Sequence, residues 1–143
     1  MLKKTITFTD YNGNERTEDH YFNLSKPELT EMQFSINGGF QNLIQQIISE
    51  QDNAKLFKMF KEILLKSYGR KSLDGKRFEK SEEISKEFEQ SPAYEVLFME
   101  LIGGDDAAEK VAAFVESILP QDLIEAEKNG KVQPIQPAVQ SNK

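Results

Sequence analysis

The sequence predicts a mainly α-helical fold with a small N-terminal β-hairpin, an α+β chain in which about five to seven short helices close into a compact bundle. Three observations carry this. Apolar residues recur at helical spacing from Leu29 onward, capping and breaking residues divide that stretch at short intervals, and two segments rich in Thr and aromatics flank an Asn-Gly pair near the start.

Residues 3–9 and 16–24 are the two strands, joined through Asp10-Tyr11-Asn12-Gly13-Asn14-Glu15. Asn12-Gly13 suits the two positive-φ positions of a type I′ turn. Alternation places Ile6 with Phe8 on one face, and sets Phe22 and Leu24 toward the core with Tyr21 opposed. The lone histidine, His20, is read as a surface strand residue, since nothing near it supplies an orienting partner or further ligands.

Ser25 and Pro27 open a first helix carrying Leu29, Met32 and Ile36. Gly38-Gly39 breaks or bends the chain and is a candidate hinge. A second helix, from about Phe40 to Gln51, buries Leu43, Ile44, Ile47 and Ile48. Asp52 or Asn53 caps a third, with Leu56, Phe57, Phe60, Ile63, Leu64 and Ser67 inward, and Gly69 placed to end it in a left-handed conformation. Residues 70–80 form a polar connector with an Asp74-Gly75 turn. Ser81 caps a helix containing Ile84 and Phe88, and Ser91-Pro92 starts another striped by Tyr94, Leu97, Phe98, Leu101 and Ile102. Gly103-Gly104 stops it, and Asp105 caps a helix with Val111, Phe114, Val115 and Ile118 inward. A last short helix spans 121–128. These elements make one domain over residues 1–130, with the hairpin at about 3–24, and 131–143 is read as a flexible tail too poor in apolar periodicity to pack.

Composition narrows the function. The chain has 143 residues, no cysteine and a formal net charge of −6. Thiolate chemistry, disulfides and Cys-ligated metals are excluded by residue type, and a reducing cytoplasm is the expected compartment. No apolar run approaches the roughly 20 residues of a membrane span, and the start alternates polar and apolar residues where a signal peptide needs a continuous apolar stretch. Negative charge disfavours nucleic acid. Acidic clusters at Glu82-Glu83, at Glu87 with Glu89, and at Asp105-Asp106-Glu109 fall at helix starts or on solvated faces, and none matches a calcium loop. Neither double glycine continues into a phosphate-binding or dinucleotide motif. The residues therefore predict a binding protein with no catalytic, cofactor or metal site.

Two surfaces are candidates for contacts. Apolar stripes ending in Leu97, Phe98, Leu101 and in Leu123, Ile124 exceed what a small core need bury and could grip a partner helix or a second copy, or else all face the one core. Arg70, Lys71, Lys76, Arg77 and Lys80 concentrate positive charge in an acidic protein, with Tyr68 and Phe78 interleaved. A solvated loop, a protein contact and single-stranded nucleic acid, in that order, account for such a group.

The order of segments adds a resemblance. Lys3-Lys4-Thr5-Ile6-Thr7-Phe8-Thr9-Asp10-Tyr11-Asn12-Gly13, Tyr21-Phe22-Asn23-Leu24-Ser25-Lys26, Phe60-Lys61-Glu62-Ile63-Leu64-Leu65-Lys66-Ser67-Tyr68-Gly69, Ser72-Leu73-Asp74-Gly75-Lys76-Arg77-Phe78 and Ala93-Tyr94 with Leu97-Phe98-Met99-Glu100-Leu101 resemble small tail assembly chaperones of siphophages infecting Gram-positive bacteria. The likeness covers about residues 1–120. It implies a non-catalytic protein of the infected host's cytoplasm that binds the tape measure protein, helps recruit the major tail protein and is absent from the mature virion. It also implies a longer frameshifted form in many members, whose junction would lie near residues 131–143. The alternative is a structural virion component, such as a minor tail or head–tail connector protein.

Overall fold

A computed structural model of the chain describes residues 1–33 and 39–120. Among them are four strands and six helices: β1 (Leu2–Thr9), β2 (Glu15–Phe22), α1 (Lys26–Gln33), α2 (Gly39–Ser49), α3 (Asn53–Ser67), β3 (Tyr68–Lys71), β4 (Phe78–Glu79), α4 (Glu82–Glu89), α5 (Pro92–Ile102) and α6 (Ala107–Ile118). The predicted α+β class is the one observed. Residues 121–128, the 131–143 tail, Ile36, Gly38, Leu123 and Ile124 lie outside the described residues, and Gly39 is the first residue of α2.

β1 and β2 pair antiparallel without a bulge, from Leu2 opposite Phe22 to Thr9 opposite Glu15. Their turn differs from the expected two-residue type I′. Gly13 N donates to Asp10 O at 3.0 Å, Asp10 N donates to Asn14 O at 2.8 Å, and Gly13 takes φ +86°. This is a three-residue loop, because Asp10 takes the place of a second permissive residue: its Oδ1 accepts from the backbone N–H of both Asn12 and Asn14 at 2.9 Å, and Arg16 Nε donates to its Oδ2 at 2.6 Å. The Arg16 guanidinium, with those amides, holds the Asp10 carboxyl below its ordinary range.

The stretch expected as a connector is a second hairpin. β3 follows α3 with no intervening turn, pairs with β2 through Tyr21 opposite Gly69 and Phe22 opposite Tyr68, and then pairs with β4. The sheet order is β1-β2-β3-β4. Gly69 therefore does not cap a helix in the left-handed region. It is a buried strand residue, and a Cβ there would lie 2.5 Å from the Phe78 ring and 2.8 Å from Glu79 O. The turn closes where expected, with Gly75 at φ +76° and Asp74 accepting from Ser72 Oγ and Lys76 N.

Helix starts follow the sequence signals. Ser25 and Glu28 form a reciprocal capping box: Ser25 N donates to Glu28 Oε1 at 2.8 Å and Glu28 N to Ser25 Oγ at 3.3 Å. Asp52, Ser81 and Ser91 cap α3, α4 and α5 through their side chains. The last cap sits one residue later than expected, at Asp106, with no side-chain bond to the helix, because Gly104 at φ +92° turns the chain first.

The core lies between one face of the sheet and the helices. α5 packs on β1, α4 on β3, and α6 bridges α2, α3 and α5. Phe22 is fully buried, its ring 5.4 Å from that of Phe114, 5.7 Å from Phe88 and 5.7 Å from Tyr68. Phe60 continues the aromatic interior to Phe114 and Phe98. Ile6, Phe8, Phe22 and Leu24 are buried as alternation predicts, whereas Ile48 is exposed on α2. His20 shares the parity of Phe22 and so also points inward, at 9% exposure among Phe8, Tyr68 and Phe88. That overturns its reading as a surface residue. Its Nδ1 has no hydrogen-bond partner.

Candidate partner-binding surface

The apolar stripe of α5 divides in two. Ala93, Leu97 and Leu101 recur every four residues and are buried against the core, which for Leu97 and Leu101 matches the second of the two readings the sequence left open, a stripe facing the one core. The helix lies against both β1 and α6, and that double contact absorbs the stripe. Phe98 is only partly buried. One turn apart on the neighbouring face, Tyr94 and Phe98 set their rings 5.5 Å from each other, and Phe57 approaches Phe98 edge-on at 6.4 Å.

The Tyr94 and Phe98 rings floor a groove of about 600 Å³ where the tip of the first hairpin meets the α4–α5 junction. Tyr11 and Met99 stand over it at 82% and 57% exposure, and Lys61 pairs with Glu89 across its rim at 2.9 Å. Glu89 raises the Lys61 pKa, chiefly by accepting its hydrogen bond, and burial raises that of Tyr94. Ser91 positions the whole site: its Oγ accepts from Tyr94 N and thereby fixes the first turn of α5, while Phe88 anchors the preceding helix edge-on to Tyr94 at 5.6 Å. A flexible thioether, one exposed and one partly buried phenol and a polar rim suit an amphipathic or extended apolar segment of another protein.

The basic residues of 70–80 sit on the second hairpin and are largely engaged. Arg70 pairs with Glu87, and Arg77 with Glu79 at 3.0 Å. Lys71 lies over the Tyr21 ring at 4.9 Å. Lys80 donates to Glu28 at 2.6 Å and to Asn23 O at 2.7 Å, tying the sheet to α1. Lys76 keeps an exposed side chain. Among the described residues no group of three or more His, Asp or Glu could hold a metal, and no helix is long and apolar enough to cross a membrane.

A family model described as phage tail assembly chaperone matches residues 1–143. The chain belongs to that family. No curated protein and no solved structure matches it. Tail-protein partners follow from membership in general terms, and the resemblance in Leu97-Phe98-Met99-Glu100-Leu101 falls on the helix that carries the chaperone's groove.

Tyr11 and Met99 were not among the candidate contact residues read from sequence. A signal for each was present. Met99 follows Glu95 and Val96 by one turn, outside the Leu97–Leu101 stripe, and Tyr11 is a large aromatic in a turn where a small polar residue would serve.

Proposed function

We propose that this chaperone binds the tape measure protein through the groove of Tyr11, Tyr94, Phe98 and Met99, helps recruit the major tail protein, and acts without catalysis in the cytoplasm of the infected host. Family membership over residues 1–143 is the observation that carries the reading. The groove supports it, since a long helical apolar chain must be kept from aggregating by surfaces that are apolar at the centre and charged at the rim. The protein's net charge of −6 would keep such a complex soluble.

Co-expression with the tape measure protein tests this. Wild type should keep that protein soluble and co-purify with it, while Met99→Glu combined with Tyr11→Ser, both at exposed positions, should lose the complex without lowering the melting temperature. Wild type that neither solubilises nor retains the tape measure protein refutes the reading. Mass spectrometry of purified particles should find the chaperone absent, and its stoichiometric presence would mark it as a virion component.

A further inference from the structure

β1 is an eight-residue edge strand, paired among the described residues with β2 alone. It carries no proline and no bulge, and the charges that can stop an edge from pairing again, Lys3 and Lys4, stand only at its start. The direction of its free backbone groups follows from two hydrogen bonds. Asp10 N donates to Asn14 O at the hairpin end, and Asn23 N donates to Ser67 O on the far side of β2. Antiparallel alternation then turns the even residues of β1 toward β2 and the N–H and C=O groups of Lys3, Thr5, Thr7 and Thr9 to the open edge.

We infer that this edge pairs antiparallel with the same edge of a second copy of the chain, about a two-fold axis at Thr7, to give a continuous eight-stranded sheet. The sequence of β1 is self-complementary in that register. On the inner face Ile6 meets Phe8 of the other copy twice, while Lys4 and Asp10, which come opposite each other at each end, keep their own partners Glu100 and Arg16. On the outer face Thr7 meets Thr7 and Thr5 meets Thr9, the threonine pairs that favour strand association. The first hairpin already uses the same device, with Thr7 and Thr17 hydrogen-bonded at 2.9 Å. Moving the axis to Ile6 would set Lys4 against Phe8 and Leu2 against Asp10, so charge and apolarity select the Thr7 register. A symmetric contact of this kind closes on itself and stops at two copies.

The test is the oligomeric state of the full chain by light scattering and sedimentation over a range of concentrations. Wild type should pass from monomer to dimer. Thr7 is exposed on the outer face, so Thr7→Lys and Thr7→Glu should fold normally, yet each places like charges at the axis and should weaken the dimer about fivefold or more. An equimolar mixture of the two variants should dimerise again. In wild type the amide exchange of Thr5, Thr7 and Thr9 should slow as concentration rises, with no substitution needed. A wild type that stays monomeric overturns the inference, and so does a dimer that neither variant weakens.

Discussion

Acidification of the aromatic interior offers the sharpest test of the fold. His20 is enclosed by Phe8, Tyr68 and Phe88, with its ring 5.5 to 6.2 Å from theirs and Nδ1 unpartnered. Burial pushes its pKa below the ordinary 6.5, and the raising influences of the Glu18 backbone bond and of the Glu18 and Asp19 charges do not make up the difference. A histidine with a depressed folded pKa takes its proton more readily in the unfolded chain. Stability is therefore fully present above the unfolded value, about pH 6.5, and is lost as pH falls toward the folded one. The carboxylates held below their normal range, Asp10, Glu28 and Asp74, start from ordinary values of 3.8, 4.5 and 3.8, so their contributions are lost only in more acidic solution. Urea titrations between about pH 7.5 and about pH 5 should thus read His20 nearly alone. One proton limits the slope to about 1.4 kcal/mol per pH unit. His20→Phe keeps a ring in the site and removes the proton, and it should flatten that slope whatever it does to absolute stability. Equal slopes in wild type and His20→Phe would refute the argument, and a slope steeper than the single-proton limit would point to a second group.

Two further substitutions probe the second hairpin. Gly69→Ala drives a Cβ into the Phe78 ring and the Glu79 carbonyl, one of them backbone, and should cost about 1–3 kcal/mol in chemical denaturation. Lys80→Ala removes the ammonium shared by Glu28 and Asn23 O, and the ion pair is partly shielded from solvent, with side-chain exposures of 22% for Lys80 and 29% for Glu28. Burial raises the Glu28 pKa, but the bonds from Lys80 and Ser25 outweigh it. The loss should be about 1–2 kcal/mol by the same measurement at neutral pH, and should shrink as pH falls through the folded pKa of Glu28.

Helix starts were the most legible part of the sequence. Ser25, Asp52, Ser81 and Ser91 each cap the helix they precede, because a side-chain oxygen beside an orphan N–H acts locally and needs no tertiary context. Sheet membership beyond the first hairpin was not legible. Arg70-Lys71 and Phe78-Glu79 give too few residues for alternation to register, and their charge reads as solvated loop. Gly69 fits a helix C-terminus as well as it fits a strand lying under an aromatic ring, and only the approach of Phe78 decides between them. His20 could have been read correctly, since the parity that buried Phe22 and Leu24 applies to it too. The groove was half visible: Phe98 belonged to the predicted stripe, but that Leu97 and Leu101 turn away from it depends on where β1 and α6 sit.

One backbone hydrogen bond bears on when the chain can finish folding during synthesis. Leu24 N donates to Ile118 O at 3.3 Å, and Phe114, Val115 and Ile118 fill the interior against which Phe22 is buried. The first strands to leave the ribosome therefore wait for one of the last helices described before their inner face is covered. Until then Ile6, Phe8 and Phe22 remain open to water or to any neighbouring nascent chain, so native structure should arrive in a single late step once α6 is in place and not segment by segment.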